Sequence, residues 1–308
     1  MFKLTETAHW QEEVQDVAQR IRMRVLEHTL DQNGGYLSQA CSSAEMLATL
    51  YTHLMRLGPS QAPALPPPFS GVPSQHHALK ISGASYNGPK APDLDRFIVS
   101  PTHYSLAVYA ALIEIGRMAP EGLAQFNQDG STVEMIGGEH SPGIELTSGS
   151  FGQAPSQAAG IALARKLRGD SGRVWLFMSD GEFQEGQTWE GFQAMSFYKL
   201  DNMWIYVDVN GQQVDGLMSK VMNIEPLDKR LEAFGARVCV VDGHDVEALA
   251  APASIPPDGR PTVILAYTNP SQGIEPLEAR KPYLHYVRFK NDEERRVLQE
   301  FLEQKRGG

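Results

Sequence analysis

The apolar positions of the chain fall into short continuous runs separated by longer segments with helical periodicity. Continuous apolar runs of this length, bounded by turn residues, predict buried strands. Strands that alternate with helices predict an α/β fold, with an open, mostly parallel, doubly wound sheet and helices on both faces. The runs cover residues 96–99, 174–178, 203–209, 237–241 and 262–266.

Residues 8–31 place apolar side chains at helical spacing, which predicts an amphipathic helix that ends at Asn33-Gly34-Gly35. Ser42 or Ser43 is expected to cap a second helix that continues through Leu54. Further helices are predicted over residues 104–115, 152–167, 185–199 and 291–308.

Two polar residues follow consecutive strands. Asp180-Gly181 comes directly after the run 174–178, and Asn210 comes directly after the run 203–209. A strand–helix–strand crossover returns the second strand parallel to the first, so both residues are expected at one sheet edge. A carboxylate and an amide oxygen suit Mg²⁺, and Gly181 lets a diphosphate approach the backbone. The alternative is that Asp-Gly and Asn-Gly are ordinary turn dipeptides.

Composition narrows the class of protein. The 308 residues suffice for one large α/β domain, and 42% apolar with 21% charged residues is typical of a soluble protein. A net charge of −10 argues against nucleic acid as the main partner. No apolar run approaches the ~18 residues of a membrane span, and the N-terminus lacks a signal peptide, so a cytoplasmic protein is expected. Cys41 and Cys239 are predicted to be reduced thiols.

The stretch from residue 180 to residue 216 carries a family resemblance. Its string DGEFQEG…WEGFQAMSFYKLDN…DVNGQQVDG resembles transketolase, and Asp-Gly followed about 30 residues later by Asn resembles the thiamine-diphosphate signature. The resemblance runs from about residue 12 to residue 289, apart from a Pro- and Gly-rich insertion at 58–92. It implies thiamine diphosphate and Mg²⁺, or another divalent ion such as Ca²⁺ or Mn²⁺. Asp180, Asn210 and a backbone carbonyl near Gln212 would hold the ion, and Gly181 and Glu182 would flank the diphosphate.

The resemblance implies further site residues elsewhere in the chain. The loop 143–153 resembles the family's glycine loop, so Gly149, Ser150 and Phe151 would lie along the thiamine side of the cofactor. Three residues match catalytic positions: His103 after the first strand, Glu185 after the Asp-Gly turn, and His285 near the end of the resemblance. His103 would also contact substrate, and both histidines would contact the cofactor. His140 is a candidate substrate contact or a solvated loop residue.

The chain departs from the family at two places. Tyr36 stands where the family has a substrate-contacting histidine, and Ser271 or Gln272 stands where the family has a lysine. Tyrosine forms hydrogen bonds but does not titrate near neutrality, so an altered substrate preference is expected. The segment 242–245, which contains His244, is predicted to form a turn and a helix cap.

The family's catalytic glutamate lies in a pyrimidine-binding domain, which is expected only after about residue 310. Residues 1–308 are therefore predicted to be a single diphosphate-binding domain that resembles the N-terminal subunit of a split transketolase. A partner chain would supply the pyrimidine-binding domain in an α2β2 assembly, and the isolated chain would be inactive. The expected reaction moves a two-carbon ketol unit between a sugar or sugar-phosphate ketose and an aldose. Alternatives are a related synthase, a 2-oxo-acid dehydrogenase E1 subunit, or a non-catalytic paralogue that binds partners.

Overall fold

The computed structural model describes residues 9–72, 75 and 81–307. The strands in these ranges are β1 (Arg96–Val99), β2 (Val174–Ser179), β3 (Met203–Val209), β4 (Gln212–Gln213), β5 (Gly216–Leu217), β6 (Arg237–Asp242) and β7 (Thr262–Tyr267). The helices are α1 (Trp10–Asp31), α2 (Leu37–Thr49), α3 (Gly83–Asn87), α4 (Ser105–Glu114), α5 (Gln153–Arg168), α6 (Gly186–Phe197), α7 (Met218–Val221), α8 (Leu227–Ala233), α9 (Val246–Ala250) and α10 (Asp292–Gly307). A short π-helix (Leu50–Leu54) continues α2, and single 3₁₀ turns include Thr102–Tyr104 and Asp180–Gln184.

Five strands form one parallel sheet in the order β1-β2-β3-β7-β6. Helix α6 connects β2 to β3, so their carboxyl ends share one edge, and Ser179 of β2 stands beside Asp208 of β3. The short strands β4 and β5 form a separate antiparallel hairpin next to this edge. The predicted α/β fold with a mostly parallel open sheet is confirmed.

The core has two layers, one on each face of the sheet. On β2, Trp175 and Phe177 join the layer formed with α1, α2, α4, α9 and α10, whereas Leu176 and Met178 join the layer formed with α5, α6 and α8. This alternation follows from the two-residue period of a strand. Because both faces are covered, β2 and β3 are buried along their whole length, and each large apolar side chain contributes about 1.5–3 kcal/mol.

The second helix begins earlier than predicted, so the predicted cap at Ser42 or Ser43 is wrong. Helix α2 begins at Leu37, and both serines lie inside it with no exposed surface. Ser43 donates to the carbonyl of Gln39 at 2.6 Å, and Ser42 donates to Asp208 at 2.5 Å. Buried partners therefore satisfy hydroxyls that local sequence rules assign to a helix start.

The segment 58–92 is described except for residues 73, 74 and 76–80, so the adjacent histidines at 76 and 77 lie outside the described residues. Its first part lies along a loop of the domain: the amide of Phe69 donates to Gly130, and that of Ala119 donates to Ala64, each at 2.8 Å. Cys41 and Cys239 are free thiols, as predicted. Across the described ranges, no helix has the length and apolar character needed to cross a membrane.

Candidate active site

A cleft of about 250 Å³ opens at the carboxyl edge of the sheet, between the ends of β1, β2 and β3. This edge is where open parallel sheets bind ligands. The structure brings most of the predicted site residues into it. The cleft lining includes His103, Phe151, Asp180, Gly181, Glu185, Asn210, Gln212 and His285.

Asp180 carries a carboxylate oxygen that is buried and unsatisfied. Its Oδ2 accepts the backbone N–H of Gly211 at 2.8 Å, whereas its Oδ1 has no hydrogen-bond partner within residues 9–72, 75 and 81–307. Burial, followed by the nearby charge of Asp208, raises the pKa of Asp180 to about 8. A buried oxygen without a partner is costly. A cation at this oxygen would remove that cost and hold the carboxyl group in its charged form.

Two neighbouring residues, Asn210 and Gln212, carry further oxygen atoms that could bind a cation. The Nδ2 of Asn210 donates to the Tyr104 hydroxyl and to Asp208, both at 3.0 Å, and its Oδ1 accepts the backbone N–H of Gln212 at 2.9 Å. The Oε1 of Gln212 is buried and, like Asp180 Oδ1, finds no partner among the described residues. Carboxylate, amide and carbonyl oxygens are the ligands of hard divalent cations. The residues present therefore fit a Mg²⁺ ion.

Asp208 is a site residue that the sequence reasoning missed. It is fully buried near the end of β3 and accepts hydrogen bonds from the side chains of Ser42, Tyr104, Asn210 and Thr268. Burial raises its pKa, while these four donors act in the opposite direction. A single acidic residue inside the apolar run 203–209 was the available signal, because a buried acid is rare unless it is paired.

The Asp-Gly-Glu turn after β2 divides its side chains between the cleft and the interior. Glu182 is fully buried, accepts the backbone N–H of Ser179 at 2.9 Å and accepts the hydroxyl of Ser100. Burial raises the pKa of Glu182 to about 7. This carboxyl group therefore faces inward and supports the turn. At Gly181 an added Cβ would meet no heavy atom of the described chain within 4 Å, so the backbone there is open to the cleft.

Three rings that are distant in sequence meet beside the cleft. The ring centroid of His103 lies 5.3 Å from those of Tyr36 and His285, and Tyr36 lies 5.8 Å from His285. Burial, with a smaller effect of His285, lowers the pKa of His103 to about 3. Burial also lowers the pKa of His285. His103 is therefore a neutral imidazole at physiological pH, which donates at one nitrogen and accepts at the other.

The glycine loop before α5 reaches the cleft through one residue. Phe151 lines the cleft, with its ring 5.7 Å from that of His103, whereas its neighbours Gly149 and Ser150 are not among the lining residues. Gly149 packs closely against Thr102, whose Oγ1 would lie 2.4 Å from an added Cβ. His140 is not among the lining residues; its Nε2 lies 3.0 Å from Glu134, and its ring lies 4.6 Å from that of Phe69.

The segment 242–245 forms the predicted turn and helix cap. Asp245 caps α9 by accepting the backbone N–H groups of Glu247 and Ala248. His244 links two other elements: its Nδ1 lies 3.0 Å from Glu45 on α2, and its Nε2 accepts the backbone N–H of Asn269 at 2.8 Å. This histidine therefore supports the loop after β7.

The departure from the family at Ser271 or Gln272 lies in the loop after β7. Ser271 is buried, and its hydroxyl donates to the side chains of Asn269 and Glu278. These hydrogen bonds hold Ser271 within the loop. Like Gln272, it is not among the lining residues of the cleft.

The fold defines an α/β protein, and the cleft at the carboxyl edge of its parallel sheet is a candidate ligand site. A family model described as the thiamine diphosphate binding domain of transketolase matches residues 79–301. The chain belongs to this transketolase family.

Individual relatives agree with this assignment. The chain is 35% identical over 280 residues to a putative uncharacterized transketolase family protein of Sinorhizobium fredii, covering 90% of each chain. It is 33% identical over 223 residues to one subunit of the apulose-4-phosphate transketolase of Actinobacillus succinogenes, covering 71% of this chain and 80% of that one. A crystal structure of transketolase from Campylobacter jejuni shares the fold, with a TM-score of 0.75 and 22% identity over 95% of this chain. This chain spans 43% of that structure's length.

Proposed function

We propose that this chain binds thiamine diphosphate with a divalent cation and takes part in the transfer of a two-carbon ketol unit from a ketose to an aldose. The observation that carries this proposal is the buried Oδ1 of Asp180, which has no hydrogen-bond partner in the part of the chain that the structure describes and lies beside the oxygens of Asn210 and Gln212. The ion would be Mg²⁺, or Ca²⁺ or Mn²⁺ in its place. The family assignment supports the cofactor.

Each side of the cleft has a separate role in binding. Asp180, Asn210 and a backbone carbonyl near Gln212 would hold the cation, and the open backbone at Gly181 would let a diphosphate approach closely. Phe151 would lie along the thiamine side, with Gly149 and Ser150 behind it. Glu182 would support the turn from within. When bound, thiamine diphosphate supplies the nucleophilic carbon and the electron sink for cleaving and forming the bond next to the carbonyl carbon.

The rings beside the cleft would bind and orient the sugar. His103 is neutral and His285 lies partly buried beside it, so each would exchange a hydrogen bond with a substrate hydroxyl or phosphate oxygen. Tyr36 would offer a hydroxyl in the same space. Glu185 is exposed at the N-terminal end of α6 and lines the cleft, where it is placed to move a proton at its rim.

A second polypeptide would complete the enzyme. Relatives whose names call them subunits are matched over most of their own length: the apulose-4-phosphate transketolase subunit over 80%, and the 6-deoxy-6-sulfo-D-fructose transketolase subunit SqwG from Clostridium over 89%. These names support a partner chain. In our proposal that partner carries the pyrimidine-binding domain, in an α2β2 assembly. Their named substrates are both modified sugars, which supports a sugar or sugar phosphate here.

One observation favours an unusual substrate within this chemistry. Tyr36 packs against both histidines, and its phenol replaces a group that would titrate near neutrality. A synthase that joins a two-carbon unit to a less common aldehyde would use the same cofactor and fit this change. A 2-oxo-acid dehydrogenase E1 subunit is an alternative because it uses the same diphosphate-binding domain. A non-catalytic paralogue is a second alternative, and it predicts no cofactor binding.

Cofactor titration tests the proposal. Thiamine diphosphate is titrated by calorimetry into the full chain, alone and mixed with its partner, in Mg²⁺ and in a chelator. We expect binding that requires Mg²⁺ and that D180A abolishes. The matched control is D242N, an exposed acid at the carboxyl end of β6 that does not line the cleft. Binding that is indifferent to Mg²⁺ or to D180A contradicts the proposal, and no binding by the complex supports the non-catalytic paralogue.

A further inference from the structure

Asp208 lies at the centre of a buried network beside the cleft. Its Oδ1 accepts from Thr268 at 2.5 Å, and its Oδ2 accepts from Ser42 at 2.5 Å, from the Tyr104 hydroxyl at 2.7 Å and from Asn210 at 3.0 Å. These donors belong to α2, the turn after β1, the loop after β3 and the end of β7. Burying a charge is costly unless it is fully hydrogen-bonded, and the four donors offset this cost for the Asp208 carboxylate.

The network determines which way the amide of Asn210 points, together with the backbone N–H of Gln212, which donates to Oδ1 at 2.9 Å. Its Nδ2 donates one proton to Asp208 and the other to the oxygen of Tyr104, both at 3.0 Å. The proton of Tyr104 is committed to Asp208, so the phenol oxygen is left to accept from the amide. Rotating the amide by half a turn would set its oxygen against a carboxylate oxygen and would direct its NH₂ group away from both acceptors.

We propose that Asp208 is a positioning residue that keeps the amide oxygen of Asn210, and not its nitrogen, available to the divalent cation. The inference rests on the proposed function, because the cation is the one assigned to Asp180 and Asn210. A cation requires the oxygen, and an amide NH₂ in the same place would repel it. Groups that orient a metal ligand in this way alter metal affinity by about 10–100-fold when they are changed.

The first measurement is the Mg²⁺ affinity of the full chain with its partner at fixed thiamine diphosphate. In D208N an amide replaces the carboxylate and no longer disfavours the flipped amide of Asn210. Only Tyr104 and the backbone N–H of Gln212 then favour the wild-type orientation, and we expect Mg²⁺ binding to weaken about 10–100-fold. The matched controls are S42A and T268V. Each removes one donor to Asp208 but leaves the carboxylate facing Asn210, and we expect losses below about tenfold. Controls that lose as much as D208N overturn the inference.

A rescue separates orientation from general damage. The double variant D208N/N210D exchanges the carboxylate and the amide between the two positions. A carboxylate at position 210 presents an oxygen whichever way it turns, so we expect Mg²⁺ affinity to return to within about tenfold of wild type. A double variant that binds Mg²⁺ no better than D208N overturns the inference, because a merely structural defect would not be repaired by a second substitution.

A further variant covers the case in which D208N does not fold, as judged by circular dichroism and thermal melting. Y104F keeps the carboxylate and removes the second acceptor of the amide. We expect it to weaken Mg²⁺ binding in the wild-type background and to have no effect in the N210D background. An equal effect in both backgrounds overturns the inference.

If wild type itself shows no Mg²⁺-dependent cofactor binding, the proposed function fails; if wild type binds and D208N is unchanged, only the positioning role fails.

Discussion

The ring of Tyr36 stands 5.3 Å from the ring of His103, measured between centroids, at the side of the cleft. Tyr36 precedes α2 and His103 follows β1, so this contact joins the segment before α2 to the turn after β1. Burial, then the neighbouring Tyr286, raises the pKa of Tyr36. Its hydroxyl therefore stays protonated and acts as a fixed hydrogen-bond donor.

Substitution of Tyr36 should change substrate use and leave cofactor binding intact. In the assembled enzyme, we expect Y36F to lower kcat/KM for the ketose about tenfold, as the loss of one hydrogen bond of about 1.5 kcal/mol implies. Y36H should alter the preference among ketoses. Steady-state kinetics and cofactor titration measure the two effects separately. The control is Y286F, because Tyr286 packs on Tyr36, whereas Tyr36 itself packs against both His103 and His285. A loss of cofactor affinity in Y36F would place Tyr36 at the cofactor instead.

Two glycines of the site should respond to alanine in opposite ways. A Cβ at Gly181 enters open space, so we expect G181A to fold normally and to weaken thiamine diphosphate binding by obstructing close approach. A Cβ at Gly149 would lie 2.4 Å from Thr102 Oγ1, so we expect G149A to destabilise the fold by about 1–3 kcal/mol. Urea unfolding and calorimetry distinguish them. Destabilisation by G181A would contradict this prediction, because it would show that other protein atoms occupy the space beside Gly181.

The low pKa of His103 should appear as acid sensitivity of the cofactor-free protein. Its folded pKa of about 3 lies below the ordinary value of about 6.5. The unfolded chain therefore binds more protons below pH 6.5, and the free energy of unfolding falls as the pH drops from about 6.5 towards 3. We expect H103Q to reduce this slope in urea titrations at several pH values. H9Q, at an exposed histidine, should keep the wild-type slope; the same slope in H103Q would contradict the assignment.

A buried ion pair away from the cleft should dominate stability on the α1–α2 side. Arg22 and Glu45 are both almost fully buried and hydrogen-bonded to each other. Within the described residues, E45A leaves the guanidinium with only the Cys41 carbonyl and also removes the partner of His244 Nδ1, so we expect a loss of about 3–5 kcal/mol in the free energy of unfolding. The double variant R22M/E45L should lose less than E45A. Equal losses would indicate that packing, not the unpaired charge, sets the cost.

Much of the fold follows from local sequence patterns. The five apolar runs correspond to the five strands of the sheet within one residue at each end. For β1, β2, β3 and β7 the reason is that a strand buried on both faces needs a continuous apolar run, whereas the residues of β6 are partly or fully exposed. The start of α2 was predicted wrongly, since Ser42 has a buried tertiary partner in Asp208. Local rules for helix caps contain no information about such partners.

What the sequence by itself determined is the order of the strands along the chain and the presence of Asp180 and Asn210 at two neighbouring strand ends, because crossover handedness places such ends together. What only the tertiary structure decided is the direction of each side chain. Glu182 turns inward although it is two residues from Asp180. The rings of Tyr36, His103 and His285 meet through packing. The physical reason is that orientation depends on partners supplied by other elements, and these become neighbours only once the layers have closed.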